Sequence, residues 1–236
     1  MAKEAGEAYL RALQAAGEAY AQRDFTKALE KTDLADQIHP GIPDTWGMRG
    51  AIYAEEHDYG KAQEAFEKAA KANPGDFWSA YNLAQLIFME KQYKEAASAF
   101  DKLMVYRGHE DLVEYKIVFA DVLAGDDAAA KPVLDSMKFP CDTPAYYFAH
   151  AVWGFAHKDV KDGSYYTRAG LKVFGLEKCV PFYDALVGMG WVAARDPKDG
   201  SIPEQTFPDQ PSTPDSDTGE PFSNSLQATP APAGGM

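Results

Sequence analysis

The chain has 236 residues and a formal net charge of −13, and 46% of its residues are hydrophobic. This size and composition are typical of one domain, or of one domain with a tail. The acidic charge argues against a nucleic-acid partner or an anionic membrane surface, because phosphate groups are bound by Lys and Arg. No apolar run approaches the roughly 18 residues of a membrane span. We therefore expect a protein or peptide partner, with no nucleic acid and no membrane insertion, and the oligomeric state stays open.

The N-terminal sequence and the cysteines bear on the cellular compartment. The first ten residues, MAKEAGEAYL, lack the apolar core of a signal peptide. We expect a cytoplasmic protein if Met1 is the native start, and a periplasmic or secreted protein if a signal peptide was removed. The two cysteines, Cys141 and Cys179, cannot form a four-ligand zinc site. The sequence leaves open whether they form a disulfide or remain two small apolar side chains.

Three segments of the chain repeat one order of small and large residues at a spacing of about 34 residues. They cover residues 23–41, 58–75 and 91–109 and align without gaps. The aligned columns hold Phe25, Tyr59 and Tyr93; Ala28, Ala62 and Ala96; Thr32, Phe66 and Phe100; Ala35, Ala69 and Leu103; and Pro40, Pro74 and Gly108. Upstream of them, a further column of small residues holds Ala16, Gly50 and Ala84.

The order of residue sizes predicts a pair of helices in each repeat. Residues three or four apart share one face of a helix, so the apolar residues form one stripe. The small residue of the first helix lets its neighbour come close, and the proline ends the repeat because it cannot continue a helix. This pattern resembles the tetratricopeptide repeat, most completely in residues 43–76. The matching structural positions are Trp46, Gly50, Tyr53, Tyr59, Ala62, Phe66, Ala69 and Pro74.

The resemblance implies an all-α fold, a right-handed α-solenoid of stacked antiparallel helix pairs. The match decays after residue 110, and Pro132 departs from the family because it falls within a helix pattern. A last amphipathic segment is expected to cap the exposed edge of the stack, as terminal repeats require. The predicted layout is a repeat domain over 5–195, with recognisable repeats at 9–42, 43–76 and 77–110, degenerate repeats at 111–142 and 143–178, and a capping helix at 180–194.

The composition changes in the last part of the chain, residues 196–236. This segment holds eight of the 15 prolines, seven acidic residues and one Lys. Such a composition cannot bury enough apolar surface to offset the entropy of ordering, so we predict a disordered, proline-rich acidic tail. Two PxxP strings, Pro208–Pro211 and Pro211–Pro214, could bind a polyproline-recognising groove. A solvated spacer and a tail that folds back onto the repeats are the alternatives.

The sequence contains none of the common catalytic motifs. HExxH, GxSxG and phosphate-binding loop patterns are absent. His150 and His157 share a helix face but stand seven residues apart, which is too far for one metal ion. We therefore predict no catalytic residues, no cofactor and no metal site, and a protein that is not an enzyme.

The resemblance also implies where a partner would bind, since the first helix of each tetratricopeptide repeat lines a concave groove. The second repeat would contribute Asp44, Gly47, Ala51 and Glu55, and the fourth would add Leu112 and Val122 to its aromatic residues. Aromatic side chains in such a groove suit an extended or helical peptide with apolar anchors. The alternative is that these rings pack against the adjacent repeat. The predicted groove residues are Trp78, Tyr81, Gln85, Phe88, Met89, Tyr115 and Phe119.

The leading prediction is a non-enzymatic scaffold or adaptor that binds a peptide segment or helix in this groove. One subfamily grips a C-terminal carboxylate with Lys, Asn and Arg, but here only Asn82 fits that pattern. The other positions of that clamp hold Leu13, Gly17, Met48 and Trp78. The alternatives are a chaperone-like protein of a secretion or assembly system, or a structural subunit of a larger complex.

Overall fold

The structure is a computed structural model that describes residues 2–196 and 200–202. These residues form two compact units, a first unit over 2–90 and a second unit over 91–196 and 200–202. The described residues contain eleven α-helices, one short 3-10 helix and no strand, so the predicted all-α class is confirmed. The predicted disordered tail, residues 196–236, lies outside the described residues except for 196 and 200–202.

The first unit contains five helices, and each of the first four packs against its neighbour in sequence. They are α1 (Ala2–Ala21), α2 (Phe25–Ile38), α3 (Pro43–Glu55), α4 (Tyr59–Ala72) and α5 (Phe77–Met89). The second unit contains six helices, and in it α7 packs against α6, α8 and α9. They are α6 (Tyr93–Asp101), continued by the 3-10 helix Lys102–Val105, then α7 (Glu110–Leu123), α8 (Asp127–Ser136), α9 (Ala145–Ala156), α10 (Val160–Phe174) and α11 (Leu176–Gly188).

One turn geometry joins α1 to α2, α3 to α4, α7 to α8, and α9 to α10. In the turn between α3 and α4, the backbone N–H of Asp58 bonds to the Tyr53 carbonyl at 2.9 Å, and that of His57 bonds to the Ala54 carbonyl at 3.0 Å. These two bonds close the end of a helix around a residue with positive φ. The positive-φ residues of these four turns are Arg23 (57°), His57 (61°), Gly125 (72°) and Lys158 (63°).

An aspartate follows each of these turn residues and precedes the first residue of the next helix. Its carboxylate accepts a hydrogen bond from the backbone N–H three residues later, at 2.9–3.2 Å, which satisfies a donor that the helix leaves unpaired. The capping residues are Asp24, Asp58, Asp126 and Asp159. The turn and its cap thus recur in residues 111–178, where the sequence columns are weak.

The predicted small residues of the second repeat lie where helices approach closely. A Cβ atom on Gly50 would stand 2.5 Å from the ring of Phe66, so α3 and α4 need a glycine there. Ala62 and Phe66 are fully buried. The eight predicted structural positions divide into buried Gly50, Ala62, Phe66 and Ala69, half-buried Trp46, Tyr53 and Tyr59, and exposed Pro74.

Glycine also brings α9 and α10 together in the second unit. A Cβ atom on Gly154 would stand 2.6 Å from the backbone nitrogen of Gly163. Counted from the turn residue, Gly163 holds the place that Ala62 holds in the second repeat. The backbones of this pair therefore approach more closely than a pattern of alanines and aromatics would allow.

The structure also shows the surroundings of Pro132 and of the two cysteines. Pro132 is the sixth residue of α8, which passes through it, and so lies beyond the first turn of the helix. Cys141 and Cys179 are both free thiols, and the buried Cys179 donates to the Gly170 carbonyl at 3.5 Å. Of the helices in the part of the chain that the structure describes, none has the length and apolarity needed to cross a membrane.

Candidate protein-binding site

The predicted groove residues of the first unit lie along one stripe of α5. The helix begins after Asp76, whose carboxylate accepts a bond from the Ser79 backbone N–H at 2.7 Å. Steps of three and four residues place one side chain above the next on the same face. We call this set the α5 stripe: Trp78, Tyr81, Gln85, Phe88 and Met89.

Most of the α5 stripe is buried. Trp78 is half-buried, whereas the other four side chains are at most 3% exposed. The ring of Trp78 stands 4.9 Å from Phe77 and 5.7 Å from Tyr81, both edge to face. Burial raises the pKa of Tyr81. Met89 packs into a core cluster with Ala51 and Phe66, so it contributes to the packing of the first unit.

Gln85 is the unusual member of the α5 stripe. It is 1% exposed, and neither its Oε1 nor its Nε2 has a hydrogen-bond partner in the part of the chain that the structure describes. A buried polar group without a partner costs about 1–3 kcal/mol, and nearly all such groups in folded proteins are paired. The fold alone therefore gives no reason for a glutamine at this position.

The α3 residues that the resemblance assigned to the groove are held by their own unit. Glu55 is 5% exposed and pairs with Arg23 across 3.1 Å. The Tyr20 hydroxyl also donates to Glu55, at 3.5 Å. Burial raises the pKa of Glu55, and the Arg23 guanidinium opposes that shift. Ala51 is fully buried, so this part of α3 offers a partner little beyond Asp44, which is half-buried.

The predicted groove residues of the second unit, Tyr115 and Phe119, form what we call the α7 stripe. Both rings are at most 1% exposed. Phe182 of α11 stands 4.9 Å from the Tyr115 ring, and Trp191, just after α11, stands 6.1 Å from Phe119. The C-terminal helix of the unit thus covers these rings. The sequence predicted a helix at 180–194 that caps the edge of the stack, whereas the helix runs over Leu176–Gly188 and its Phe182 packs on the α7 stripe.

Two charged residues that the sequence analysis did not single out are also buried on α7. Lys116 is 5% exposed, its Nζ stands 5.5 Å from the Tyr115 ring, and burial lowers its pKa to about 7. Asp121 is 8% exposed, and burial together with Asp126 and Asp101 raises its pKa to about 6. In the sequence, only their position in a mostly apolar helix could have indicated that these two charged residues are buried. Among the described residues, no group of three potential metal ligands occurs.

Residues 53–112 match the family model described as tetratricopeptide repeat. The match spans 60 of the 236 residues and contains the columns from Tyr53 to Gly108. Residues 53–112 therefore contain tetratricopeptide repeats, as the residue columns predicted. The presence of this repeat supports a role in protein–protein interaction. No curated protein matches the chain.

Three solved structures have a fold similar to that of this chain. A thermophilic tetratricopeptide repeat protein of Thermus thermophilus has a TM-score of 0.59 at 16% identity, covering 76% of this chain and 100% of its own. Pseudomonas aeruginosa pilF has a TM-score of 0.57 at 15% sequence identity, and the match covers 78% of this chain and 92% of pilF. PilW, a widely conserved type IV pilus biogenesis factor, has a TM-score of 0.57 at 19% sequence identity, and the match covers 78% of this chain and 83% of PilW. These likenesses confirm the predicted α-solenoid fold class.

Proposed function

We propose that this chain is a non-enzymatic adaptor that binds a segment of a partner protein at the α5 stripe. The observation that carries the proposal is Gln85, a buried amide whose two polar atoms both lack a partner. A glutamine amide can accept a bond from a peptide N–H and donate one to a peptide carbonyl. A bound segment would therefore satisfy both atoms and offset the cost of burying them.

The neighbours of Gln85 support the same assignment. Trp78 is half-buried and belongs to a cluster of three rings with Phe77 and Tyr81. Trp and Tyr are the residue types that most often dominate the energy of protein–protein binding. The partner segment is therefore expected to carry an apolar anchor that packs on Trp78. Because Gln85 is covered in the isolated chain, binding must include a rearrangement of the atoms that cover it.

The test separates binding from folding by replacing Gln85→Leu. The fold loses an unpaired buried amide, so we expect the free energy of unfolding to rise by about 1–3 kcal/mol. A partner co-purified from the native cell with the wild-type chain should be lost or strongly depleted with the variant. The matched control is Gln63→Leu, on the exposed side of α4, which should leave the partner list unchanged.

Two results would contradict the assignment. One is an identical partner list for wild type and Gln85→Leu, with a folded variant. The other is loss of the same partner in Gln63→Leu, since that side chain is exposed and bonds to Glu67 within its own helix.

A chaperone-like or structural role in an assembly system is the second candidate. It is motivated by the similar fold of PilW, a type IV pilus biogenesis factor. Light scattering at micromolar concentration distinguishes a self-assembling subunit from an adaptor. A clean monomer argues for the adaptor, and a concentration-dependent oligomer argues for the structural subunit.

A further inference from the structure

A second aromatic surface lies on the second unit, away from the α7 stripe. It is formed by side chains of α9 and α10 together with Phe139, which precedes α9. The ring of Tyr146 stands 5.4 Å from Phe139 and 4.5 Å from His150, and His150 stacks on Tyr166 at 4.6 Å. We call this set the aromatic face: Phe139, Tyr146, Tyr147, His150, Tyr165, Tyr166 and Phe174.

The aromatic face is open to solvent at its ends. Phe139 is 65% exposed and Tyr165 is 63% exposed, and Val173 beside Phe174 is 58% exposed. Single exposed apolar residues are ordinary, but contiguous ones mark surfaces that bind other molecules. Tyrosine suits such a surface because its ring packs while its hydroxyl remains hydrated.

A basic stripe runs along the same helix. Lys161, Arg168 and Lys172 are exposed and flank Tyr165 at steps of three and four residues, so they share its side of α10. Asp162 is the one acidic residue of α10. In a chain with a net charge of −13, this combination of basic and aromatic side chains is distinctive. It favours an acidic ligand that also carries apolar or proline residues.

The chain itself contains a segment of that chemistry. Residues 203–222 read PEQTFPDQPSTPDSDTGEPF, with five prolines, two phenylalanines, five acidic residues and no Lys or Arg. The segment follows directly on Ile202, the last described residue of the second unit. A tethered ligand has an effective concentration in the millimolar range, so even weak contacts suffice to hold it.

We propose that residues 203–222 bind the aromatic face and its basic stripe within the same chain. The five carboxylates face Lys161, Arg168 and Lys172, while prolines and phenylalanines pack on the exposed rings of Phe139 and Tyr165. Proline-rich segments are commonly bound by aromatic-lined surfaces, and opposite charge steers the segment to this one. The inference does not depend on the proposed function, because it concerns a different surface in the other unit.

The experiment uses the full chain with a nitroxide spin label on Ser216→Cys, in a Cys141→Ser background so that the label attaches at one place. Nuclear magnetic resonance then reads the broadening of backbone amide signals. We expect signals of α10 to broaden severalfold more than those of α1 and α2. The triple variant Lys161→Glu, Arg168→Glu, Lys172→Glu should remove that broadening. The matched control, Lys27→Glu, Lys71→Glu, Lys94→Glu, changes charge equally at exposed sites and should retain it.

Three results would overturn the proposal: uniform absence of broadening, broadening centred on another helix, or equal loss in both triple variants. A sample mixing spin-labelled chains with isotope-labelled, spin-free chains tests the source of the contact. Broadening of α10 in that mixture would assign the segment to a second copy and contradict binding within one chain. If the triple variant unfolds, the same contact can be tested by adding salt to the spin-labelled chain that keeps Lys161, Arg168 and Lys172. At about 0.5 M salt, where charge screening acts over less than 8 Å, the broadening should fall severalfold.

Discussion

The α5 stripe and the α7 stripe hold corresponding positions of two successive repeats, yet they are completed differently. Phe182 and Trp191 of the second unit lie against Tyr115 and Phe119 of α7. On α5, by contrast, the Gln85 amide has no hydrogen-bond partner among the described residues. The difference teaches that a repeat position does not by itself make a binding position. The α7 stripe is covered by Phe182 of α11 and by Trp191, whereas the α5 stripe retains a buried amide without a hydrogen-bond partner among the described residues.

The largest effect is expected from Phe182→Ala, which removes the ring that covers the α7 stripe. Phe182 is 9% exposed and also stands 5.4 Å from Phe148. Removal of such a ring costs about 3–5 kcal/mol, because the cavity collapses only partly. Chemical denaturation monitored by circular dichroism would measure the loss. Phe139→Ala, at an exposed ring, is the control and should change stability by less than about 0.5 kcal/mol. Equal effects of the two variants would contradict the covering role of α11.

Lys116→Met should stabilise the second unit near neutral pH. The folded-state pKa of about 7 lies below the ordinary value of 10.5, so the contribution of Lys116 to stability is full above 10.5 and is lost as pH falls toward 7. Each pKa unit corresponds to about 1.4 kcal/mol, which places the gain at pH 6 on the order of a few kcal/mol.

The direction of this pH dependence can be checked by measuring the free energy of unfolding of both chains between pH 7 and pH 9.5. Wild type should lose stability relative to Lys116→Met as the pH is lowered through this range. A constant difference between the two chains would show that the amine is solvated in the folded state.

Ala62→Leu tests the close approach of α3 and α4 in the first unit. Ala62 is fully buried beside Phe66, so extra methyl groups should overpack the site and lower the melting temperature, at a cost of about 1–3 kcal/mol. Ala72→Leu, exposed at the end of the same helix, is the control. Equal melting temperatures for the two variants would count against the packing that the repeat columns predict.

The smallest effect is expected at Lys158, in a turn of the second unit whose geometry also occurs in the first unit. Lys158 has φ of 63°, a conformation that costs little for glycine and more for other residues. Lys158→Gly should therefore raise the free energy of unfolding by about 0.5–1 kcal/mol. Lys158→Ala keeps the strain and should give no gain. A gain of equal size in both variants would place the effect elsewhere than in the backbone conformation.

The sequence predicted the helix pairs and the all-α class because residues such as Ala62, Phe66 and Pro74 act through local periodicity and helix ends. It did not predict the positive φ at Arg23 or His57, since the turn imposes that conformation on residues with no preference for it.

The sequence also could not show what covers each stripe. The contact of Phe182 with Tyr115 joins residues far apart in the chain, and the missing partners of Gln85 depend on every neighbour in the fold. The sequence pattern did not predict the close approach of Gly154 and Gly163, because glycines stand there in place of the alanine and aromatic residues of the other repeats.

The most direct test of binding at the α5 stripe is photo-crosslinking in the native cell. A photoreactive aromatic amino acid replaces Trp78 in one version of the chain and Trp153, half-buried in the second unit, in another. We predict that one partner protein crosslinks to position 78, that it does not crosslink to position 153, and that Gln85→Leu abolishes the product. Crosslinking at position 78 that persists in Gln85→Leu, or equal crosslinking from both positions, would contradict binding at the α5 stripe.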